Sequence, residues 1–429
     1  MQPTNGDAKA VVTYREIENA LTEGMMNEAI SRLGEAAQTP EQGDRFLADF
    51  AQALRLIELE EEQADPELLT VPRDRLASLT LSSLAEDPPE GSSFVELATG
   101  GAEVVFSNRD ILGWLRSLFD WVGQLRPHPM MRPSGIGPAE IPNQARAALL
   151  GDWGTGLYGA VPCAESIRQN RGHFDLLMHL GDVYYSGTKR EVQERFLNVW
   201  PHREGAINRS INSNHEMYSG GYAYFEKTLP EFGQESSYFA LQNDHWLLVG
   251  LDVAYIDHDI DDSQVDWLER VIAAAGDRKV LLFSHHQLFS RFDDQGPRLA
   301  AKLGGLLRSG RIFAWYWGHE HRCVLYEPDP RYGGLLGRCL GHGGMPYTRT
   351  AVANIPRDHT VGQSTWRRFE TKNMVPGGLV LDGPNPYIQG HETEYGPHGY
   401  MTLEFQGQHL VEVIHNPTGE EIYRQEIRR

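Results

Sequence analysis

Apolar residues follow two different spacings along this chain, and the change between them divides it into two parts. Up to about residue 124 they recur every three or four positions, as they do on one face of a helix. On this basis we predict helices over 14–33, 40–57 and 109–122. Residues 1–124 are therefore interpreted as a mostly helical accessory domain.

Proline and glycine dominate the next stretch, residues 125–144. Its helix-breaking residues are Pro127, Pro129, Pro133, Gly135, Gly137, Pro138 and Pro142. Such a segment cannot continue a helix or fill a central strand. We predict that it links two domains.

From residue 145 onward, short apolar runs end in Gly, Asp or His. These runs cover 147–150, 176–178, 246–249, 280–283 and 312–315. Helical patterns lie between them, and short buried strands that alternate with helices predict an α/β or α+β sandwich. The predicted domain is 145–429, with long substrate-side loops over its Pro- and Gly-rich part, 346–398.

Composition narrows the classes of function. The formal net charge of −20 argues against general binding of nucleic acid or anionic membranes, which requires clustered Lys and Arg. The first residues lack the pattern of a secretory signal and no stretch reaches the length of a membrane span, so we expect a cytoplasmic protein. The three cysteines, Cys163, Cys323 and Cys339, form no CxxC pair and are expected to be buried thiols.

Five polar stretches lie at or near the ends of the apolar runs, where ligands gather in open α/β sheets. They are Gly151-Asp152-Trp153-Gly154, Gly181-Asp182-Val183-Tyr184-Tyr185, Asn214-His215-Glu216, Ser284-His285-His286 and Gly318-His319-Glu320-His321. Their carboxylates, amide oxygen and imidazoles can hold two metal ions, with one carboxylate as a bridge. On chemistry alone His285 and His286 are equally good ligands.

In order and composition these stretches resemble the calcineurin-like metallophosphoesterase superfamily, and within it the purple acid phosphatases. Most of the superfamily has Asp-x-His in the first stretch, whereas purple acid phosphatases have Asp-x-Gly and a tyrosine three residues after the bridging aspartate. Gly154 and Tyr185 stand at these two positions here. The resemblance covers about residues 145–345 and implies a four-layer sandwich, in which helices flank two mixed β-sheets.

The resemblance also implies two metal sites that share Asp182. The residues expected at the first ion are Asp152, Asp182, Tyr185 and His321. Those expected at the second ion are Asp182, Asn214, His285 and His319, with the motif favouring His285 over His286. The catalytic residues would be Asp182 as the bridge and His215, which would contact the substrate phosphate and assist the leaving group.

A tyrosinate at the first ion changes the charge of the centre. In an Asp-x-His centre, two divalent ions, two carboxylates and a hydroxide leave one net positive charge. A tyrosinate cancels that charge, and a trivalent ion restores it. We therefore expect Fe(III) bound by Tyr185 beside a divalent Fe, Mn or Zn, since oxygen-rich ligands suit a hard ion and imidazoles a borderline one.

These features predict a dinuclear metal-dependent phosphoesterase in which a metal-bound hydroxide attacks phosphorus. The expected substrates are small phosphomonoesters, as for an acid phosphatase, and the alternative substrates are phosphodiesters such as nucleotides or cyclic nucleotides. A third interpretation is a scaffold or binding protein with a vestigial metal site, whose N-terminal helical domain binds a protein partner. The chain retains all seven expected ligands, which favours the enzyme.

Overall fold

The computed structural model describes residues 126–388 and 390–427, together with 10–12, 78–79, 82, 93–96 and 102–105. The helices predicted over 14–33, 40–57 and 109–122 lie outside the described residues. Before residue 125 the described strands are Ala10–Val12 (β1), Ser93–Glu96 (β2) and Ala102–Val105 (β3), and they form one sheet in the order β1-β3-β2. The helical N-terminal domain therefore stays a prediction.

The remainder of the described chain contains sixteen strands. In chain order they are Ala139–Glu140 (β4), Arg146–Leu150 (β5), Leu176–His179 (β6), Ile207–Ser210 (β7), Phe239–Gln242 (β8), Trp246–Gly250 (β9), Lys279–Ser284 (β10), Ile312–Trp317 (β11), Cys323–Tyr326 (β12), Leu336–Leu340 (β13), Arg357–Val361 (β14), Ser364–Phe369 (β15), Gly378–Asp382 (β16), Tyr400–Gln406 (β17), His409–His415 (β18) and Glu421–Ile427 (β19).

Short helices connect many of these strands. The α-helices are Ala160–Gln169 (α1), Lys189–Glu191 (α2), Asn214–Tyr218 (α3), Leu229–Glu231 (α4), Asp262–Ala274 (α5), Pro297–Lys302 (α6) and Gly304–Arg308 (α7). Helix α2 continues into a π-helical turn, Val192–Leu197, and a second π-helical turn, Tyr224–Thr228, precedes α4. Two 3₁₀ turns, Pro330–Tyr332 and Arg349–Ala351, lie in loops of the ten-stranded sheet.

The strands form two mixed sheets, which confirms the sandwich. The order of the six-stranded sheet is β19-β18-β17-β5-β6-β7, and in it β5, β6 and β7 are parallel. The order of the ten-stranded sheet is β14-β15-β16-β12-β13-β11-β10-β9-β8-β4. Its central strands β9, β10, β11 and β13 are parallel, so their carboxyl ends share one edge.

The alternating directions of side chains along the strands show which residues lie between the two sheets and which lie outside them. Successive strand residues face opposite sides of a sheet. Leu149 of β5 packs between the sheets with Leu248 of β9, whereas the next residue, Leu150, packs on the outside with Ile167 of α1. On the other sheet Leu282 of β10 packs on the outside with residues of α5. Each sheet thus has one face against the other sheet and one against helices, giving the predicted four layers.

The segment predicted to be a linker lies against this sandwich. Strand β4 pairs in parallel with β8, and Met130 and Ile141 are buried. The Trp267 indole on α5 donates a hydrogen bond to the backbone oxygen of Gly135 at 2.9 Å. Residues 126–144 are therefore part of the packed structure, although their prolines keep them out of all but one short edge strand.

Residues 346–398, predicted to be long loops, contain the three strands β14, β15 and β16 at one end of the large sheet. Asp382, at the end of β16, accepts a hydrogen bond at 2.6 Å from the guanidinium of Arg349 and another at 2.6 Å from that of Arg367. Burial would raise the pKa of Asp382, but these two hydrogen bonds outweigh it and lower the pKa. The carboxylate ties a loop to two strands.

A buried ion pair joins the two sheets. The Arg338 guanidinium on β13 donates to both carboxylate oxygens of Glu412 on β18 at 2.9 Å. Tyr316 on β11 also donates to Glu412, at 2.8 Å. All three side chains are buried, so each charge depends on its partner for compensation.

Two smaller expectations can be compared with the structure. Cys163, Cys323 and Cys339 are buried and free, as predicted. Among the described residues, none of the helices combines the length and the apolar character needed to cross a membrane.

Candidate metal centre

The predicted ligands lie just beyond the carboxyl ends of parallel strands. Asp152 follows β5 and Asp182 follows β6, in the six-stranded sheet. His285 follows β10 and His319 follows β11, in the ten-stranded sheet. The carboxyl ends of parallel strands lie at one edge of each sheet. The loops that follow these strands can therefore bring side chains from the two sheets together. Asn214 follows β7 and begins α3.

Four of these residues have an unusual backbone. The φ angles of Asp152, Asp182, His319 and His321 are 54°, 77°, 71° and 53°. The left-handed region costs a residue with a Cβ about 1–3 kcal/mol. The loops retain this conformation because they are held from several sides; for example, the Asp152 amide donates to the backbone oxygen of Gly181 at 3.0 Å. Strain of this kind concentrates at functional sites.

Two groups of potential metal ligands share Asp182. One is Asp182, His285 and His319, and the other is Asp152, Asp182 and His321; within each group the ligand atoms lie within 4.8 Å of one another. Asp182 Oδ1 is 3.1 Å from His285 Nε2, which is 3.2 Å from His319 Nδ1. Asp182 is the residue that these two groups have in common.

The tyrosine hydroxyl at the second of these groups belongs to Tyr184, whereas the sequence predicted Tyr185. The Tyr184 hydroxyl donates to Asp182 Oδ2 at 3.0 Å and lies 2.7 Å from His321 Nε2. Tyr185 instead places its ring 5.3 Å from the Arg195 guanidinium.

Asn214 has the orientation of an oxygen ligand. Its amide nitrogen donates to the Tyr218 hydroxyl at 2.9 Å. Its amide oxygen is buried and accepts no hydrogen bond from the described residues. Burying a polar oxygen without a hydrogen-bond donor costs free energy. A cation bound to the oxygen would offset that cost. The carboxylates and imidazoles of the two groups and the Tyr184 phenol suit a pair of metal ions, and Asn214 offers a further oxygen at the end of β7.

Two histidines are oriented through their Nδ1 atoms. His285 Nδ1 lies 2.8 Å from the backbone oxygen of Leu180, and His215 Nδ1 lies 2.5 Å from that of Tyr185. Since a carbonyl oxygen only accepts, both rings carry their proton on Nδ1 and keep Nε2 for another partner. Histidines that bind metal commonly have this arrangement. The His215 ring also packs on the Tyr184 ring, with the centroids 3.9 Å apart.

Burial and charge perturb the ionisation of the site. Burial would raise the pKa of Asp182, but the positive charges available on His285 and His215 hold it well below its usual range. Burial alone would lower the pKa of His285. The negative charge of Asp182 outweighs the effect of burial, so the pKa of His285 is raised. Burial lowers the pKa of His215. The core of the site is therefore an anionic carboxylate among imidazoles, which is a setting for cations.

Glu216 supports the shared carboxylate. Its side chain accepts hydrogen bonds from the Asp182 amide, at 3.3 Å, and from the Ser213 hydroxyl. Burial and, second, the charge of Asp182 raise its pKa to about 7. The sequence showed Glu216 only as the residue after Asn214-His215, and nothing in its spacing indicated contact with the Asp182 loop.

Glycine allows two of the loops to approach the ligands closely. A Cβ on Gly318 would lie 2.7 Å from Asp152 Oδ2 and 3.2 Å from His285 Nδ1. A Cβ on Gly181, where φ is 96°, would lie 2.7 Å from His285 Nδ1. Steric crowding therefore explains why glycine precedes Asp182 and why glycine precedes His319.

His286, the alternative to His285, takes a different place. It belongs to a separate group of three histidines, His258, His286 and His319, whose ligand atoms again lie within 4.8 Å of one another. His258 lies on the loop after β9 and was not among the predicted site residues. Its proximity depends on that loop reaching the end of the neighbouring strand β10, which spacing along the sequence does not indicate.

Comparison with known proteins finds a family that matches the part of the chain carrying these residues. The sequence profile of the calcineurin-like phosphoesterase family (Metallophos) matches residues 145–323, and these residues carry the ligand groups. No curated protein sequence matches the chain.

Solved structures similar to this chain include a purple acid phosphatase, PPD1, from yellow lupin seeds, with 13% identity and a TM-score of 0.47 over 68% of this chain and 54% of that one. GAP50, an inner membrane complex anchor of Plasmodium, has 15% identity and a TM-score of 0.46 over 66% of this chain and 88% of that one. PhoD has 11% identity and a TM-score of 0.40 over 68% of this chain and 70% of that one. The chain thus spans about half the length of the lupin protein.

Proposed function

We propose, from the premise that residues 145–323 are a calcineurin-like phosphoesterase domain, that this chain hydrolyses phosphomonoesters at two metal ions. The observation that carries the proposal is the position of Asp182 in both ligand groups. One carboxylate common to two sets of ligands is the arrangement that two-metal hydrolases use to hold a pair of ions close together. An ordinary buried aspartate needs only one partner.

The oxygen-rich side of the centre favours a trivalent iron. Asp152, Asp182 and the Tyr184 hydroxyl offer oxygens there, and His321 offers a nitrogen. The other side offers two imidazoles, His285 and His319, which suit a divalent Fe, Mn or Zn. Tyr184 takes over the role that the sequence had given to Tyr185.

The ions would supply charge that polarises the phosphoryl group and lowers the pKa of a water molecule. The protein residues then bind, orient and transfer protons. Glu216 fixes the Asp182 loop through the backbone amide of Asp182. His215 would assist the leaving oxygen; its Nδ1 lies 2.5 Å from the backbone oxygen of Tyr185, which leaves Nε2 for the substrate. Because Nδ1 already carries one proton, Nε2 carries a proton only in the imidazolium form. That protonated form can donate a hydrogen bond to the leaving oxygen.

A visible absorption spectrum tests the iron and the tyrosine together. A phenolate bound to Fe(III) absorbs visible light, whereas a pair of divalent ions without iron does not. The full-length protein should be coloured, Tyr184→Phe should lose the band, and the matched variant Tyr185→Phe should retain it. A coloured Tyr184→Phe beside a colourless Tyr185→Phe would return the role to Tyr185, and a colourless wild type would remove Fe(III) from the proposal.

Substrate class is tested separately, with p-nitrophenyl phosphate and bis(p-nitrophenyl) phosphate under the same conditions. A phosphomonoesterase should have the higher kcat/KM for the monoester. A higher kcat/KM for the diester would replace monoesters by phosphodiesters such as nucleotides. Hydrolysis of neither substrate, in protein that contains its metal, would favour the scaffold interpretation.

A further inference from the structure

A second cluster of histidines lies beside the proposed divalent side of the centre. His258, His286 and His319 place three imidazole nitrogens within 4.8 Å of one another. Their rings are in contact: the centroids of His258 and His286 are 3.8 Å apart, and those of His286 and His319 are 4.6 Å apart. Neither His258 nor His286 is needed to explain the pair of ions that shares Asp182.

His286 is oriented in the same way as the proposed ligand His285. Its Nδ1 lies 3.1 Å from the backbone oxygen of Val253, as that of His285 does from Leu180 at 2.8 Å. The proton is therefore on Nδ1, and Nε2 presents a lone pair. The ring is fully buried, and Nε2 has no hydrogen-bond partner among the described residues. A buried lone pair of this kind usually has a donor or a metal ion as its partner.

Asp257 makes a cation the better partner. Its Oδ1 lies 3.7 Å from His286 Nε2 and accepts a hydrogen bond from His258 Nδ1 at 2.9 Å. The Asp257 side chain is 74% exposed, so water screens its repulsion of the lone pair, and a cation held between the two atoms would attract both. The contact between His258 and Asp257 also resembles the carboxylate-histidine pairs that orient metal ligands.

We propose that His258, His286 and His319, with Asp257 beside them, form a binding site for a third metal ion. Three imidazoles and a nearby carboxylate are ligands that suit a borderline divalent ion, and Zn²⁺ is the ion to which we assign the site. His319 belongs to this group and also to the Asp182 group, so it would join the third ion to the divalent ion of the pair as an imidazolate, with one ion on each ring nitrogen and both ring protons lost to solvent. The site would add positive charge where an anionic substrate arrives.

The number of bound ions tests this proposal. The metal-free full-length protein is dialysed against Zn²⁺ alone and the bound metal is counted by mass spectrometry. His258→Asn removes one imidazole, and asparagine tolerates the left-handed backbone at this position, where φ is 53°. The wild type should bind three ions per chain and His258→Asn two. Equal numbers of ions in the wild type and in His258→Asn would overturn the proposal and show that the three rings only pack.

His359→Asn is the matched control. His359 also pairs through Nδ1 with the preceding aspartate, Asp358, at 2.7 Å, but it lies on β14 away from the centre. This variant should bind three ions per chain. A lower number of bound ions would mean that removing any histidine reduces metal binding, whether or not it belongs to this site.

Asp257→Asn provides a second measurement that does not remove a ligand. The loss of a carboxylate that orients a metal-binding histidine typically weakens metal binding about 10- to 100-fold. A competition titration with a zinc chelator should show that loss for one of the three ions, whereas an unchanged titration would contradict the proposed role of Asp257. Neither measurement depends on ester hydrolysis, so the third site and the proposed function can fail separately.

Discussion

Removal of the His215 imidazole should slow hydrolysis and leave the metal ions in place. His215 lies on α3 between the rings of Tyr184 and Tyr218, with centroid distances of 3.9 and 4.7 Å. Its Nδ1 is held by the Tyr185 carbonyl at 2.5 Å, so Nε2 has a fixed direction. One well-placed donor to a leaving oxygen contributes about 10²- to 10⁴-fold in rate. That is about 3–5 kcal/mol of transition-state stabilisation.

The assay compares His215→Ala with the wild type on two phosphomonoesters with different leaving groups. p-Nitrophenolate leaves without much help, whereas an alkoxide needs a proton. The loss of kcat/KM should therefore be larger for an alkyl phosphate than for p-nitrophenyl phosphate, with the same metal content in both proteins. Equal losses on both substrates would refute proton donation to the leaving group. Loss of metal would show that His215 acts on the structure of the centre.

Three further predictions concern residues around the site and the core. Gly318→Ala should weaken metal binding about 10- to 100-fold, because the new Cβ would lie 2.7 Å from Asp152 Oδ2; metal retained during dialysis against a chelator measures this. Asp382→Asn should destabilise the protein by about 1–3 kcal/mol at neutral pH, as judged by urea denaturation, and by much less once acid has protonated the wild-type carboxylate. Glu412→Gln should cost about 3–5 kcal/mol, because Arg338 stays buried without its counter-charge, and Glu412→Leu combined with Arg338→Met should recover most of that loss.

A control variant or condition for each of these three predictions tests its physical cause. Gly305→Ala, where nothing lies within 4 Å of the new Cβ, should leave metal binding unchanged. For Asp382 the pKa is lowered in the folded state, so its stabilisation is present above the unfolded pKa and is lost as the pH falls through the folded pKa. A penalty for Asp382→Asn that is equally large in strong acid would contradict this origin. A double Arg338 and Glu412 variant no more stable than Glu412→Gln would contradict the charge argument.

Continuous apolar runs predicted the strands that matter most for the site. The runs at 176–178 and 280–283 became β6 and β10 because a strand covered on both faces has no polar alternation to obscure it. Strand β14 was missed for the opposite reason: its first four residues are exposed, and only a neighbouring strand identifies it. Strand β16 has an apolar sequence but lies between Pro376-Gly377 and Gly383, which suggested loops.

The sequence predicted the composition of the site better than its contacts. Asp182 was identified because carboxylates at strand ends converge in this kind of sheet. The choice between Tyr184 and Tyr185 depends on the direction of each side chain, which a spacing rule does not contain; the hydroxyl beside His321 Nε2 is that of Tyr184. Glu216 and His258 reach the site through loops that fold back, and their contacts leave no local pattern. A cytoplasmic location and a protein partner for residues 1–124 stay predictions.

Metal content and hydrolysis in Asp182→Asn test the central claim most directly. Asparagine keeps the size of the side chain and removes the charge that both ligand groups share. We predict that the variant loses metal from the pair and loses hydrolysis of p-nitrophenyl phosphate, while Asp244→Asn, at an exposed aspartate, keeps both. An Asp182→Asn protein that hydrolyses the ester at the wild-type rate would contradict a two-metal centre bridged by Asp182.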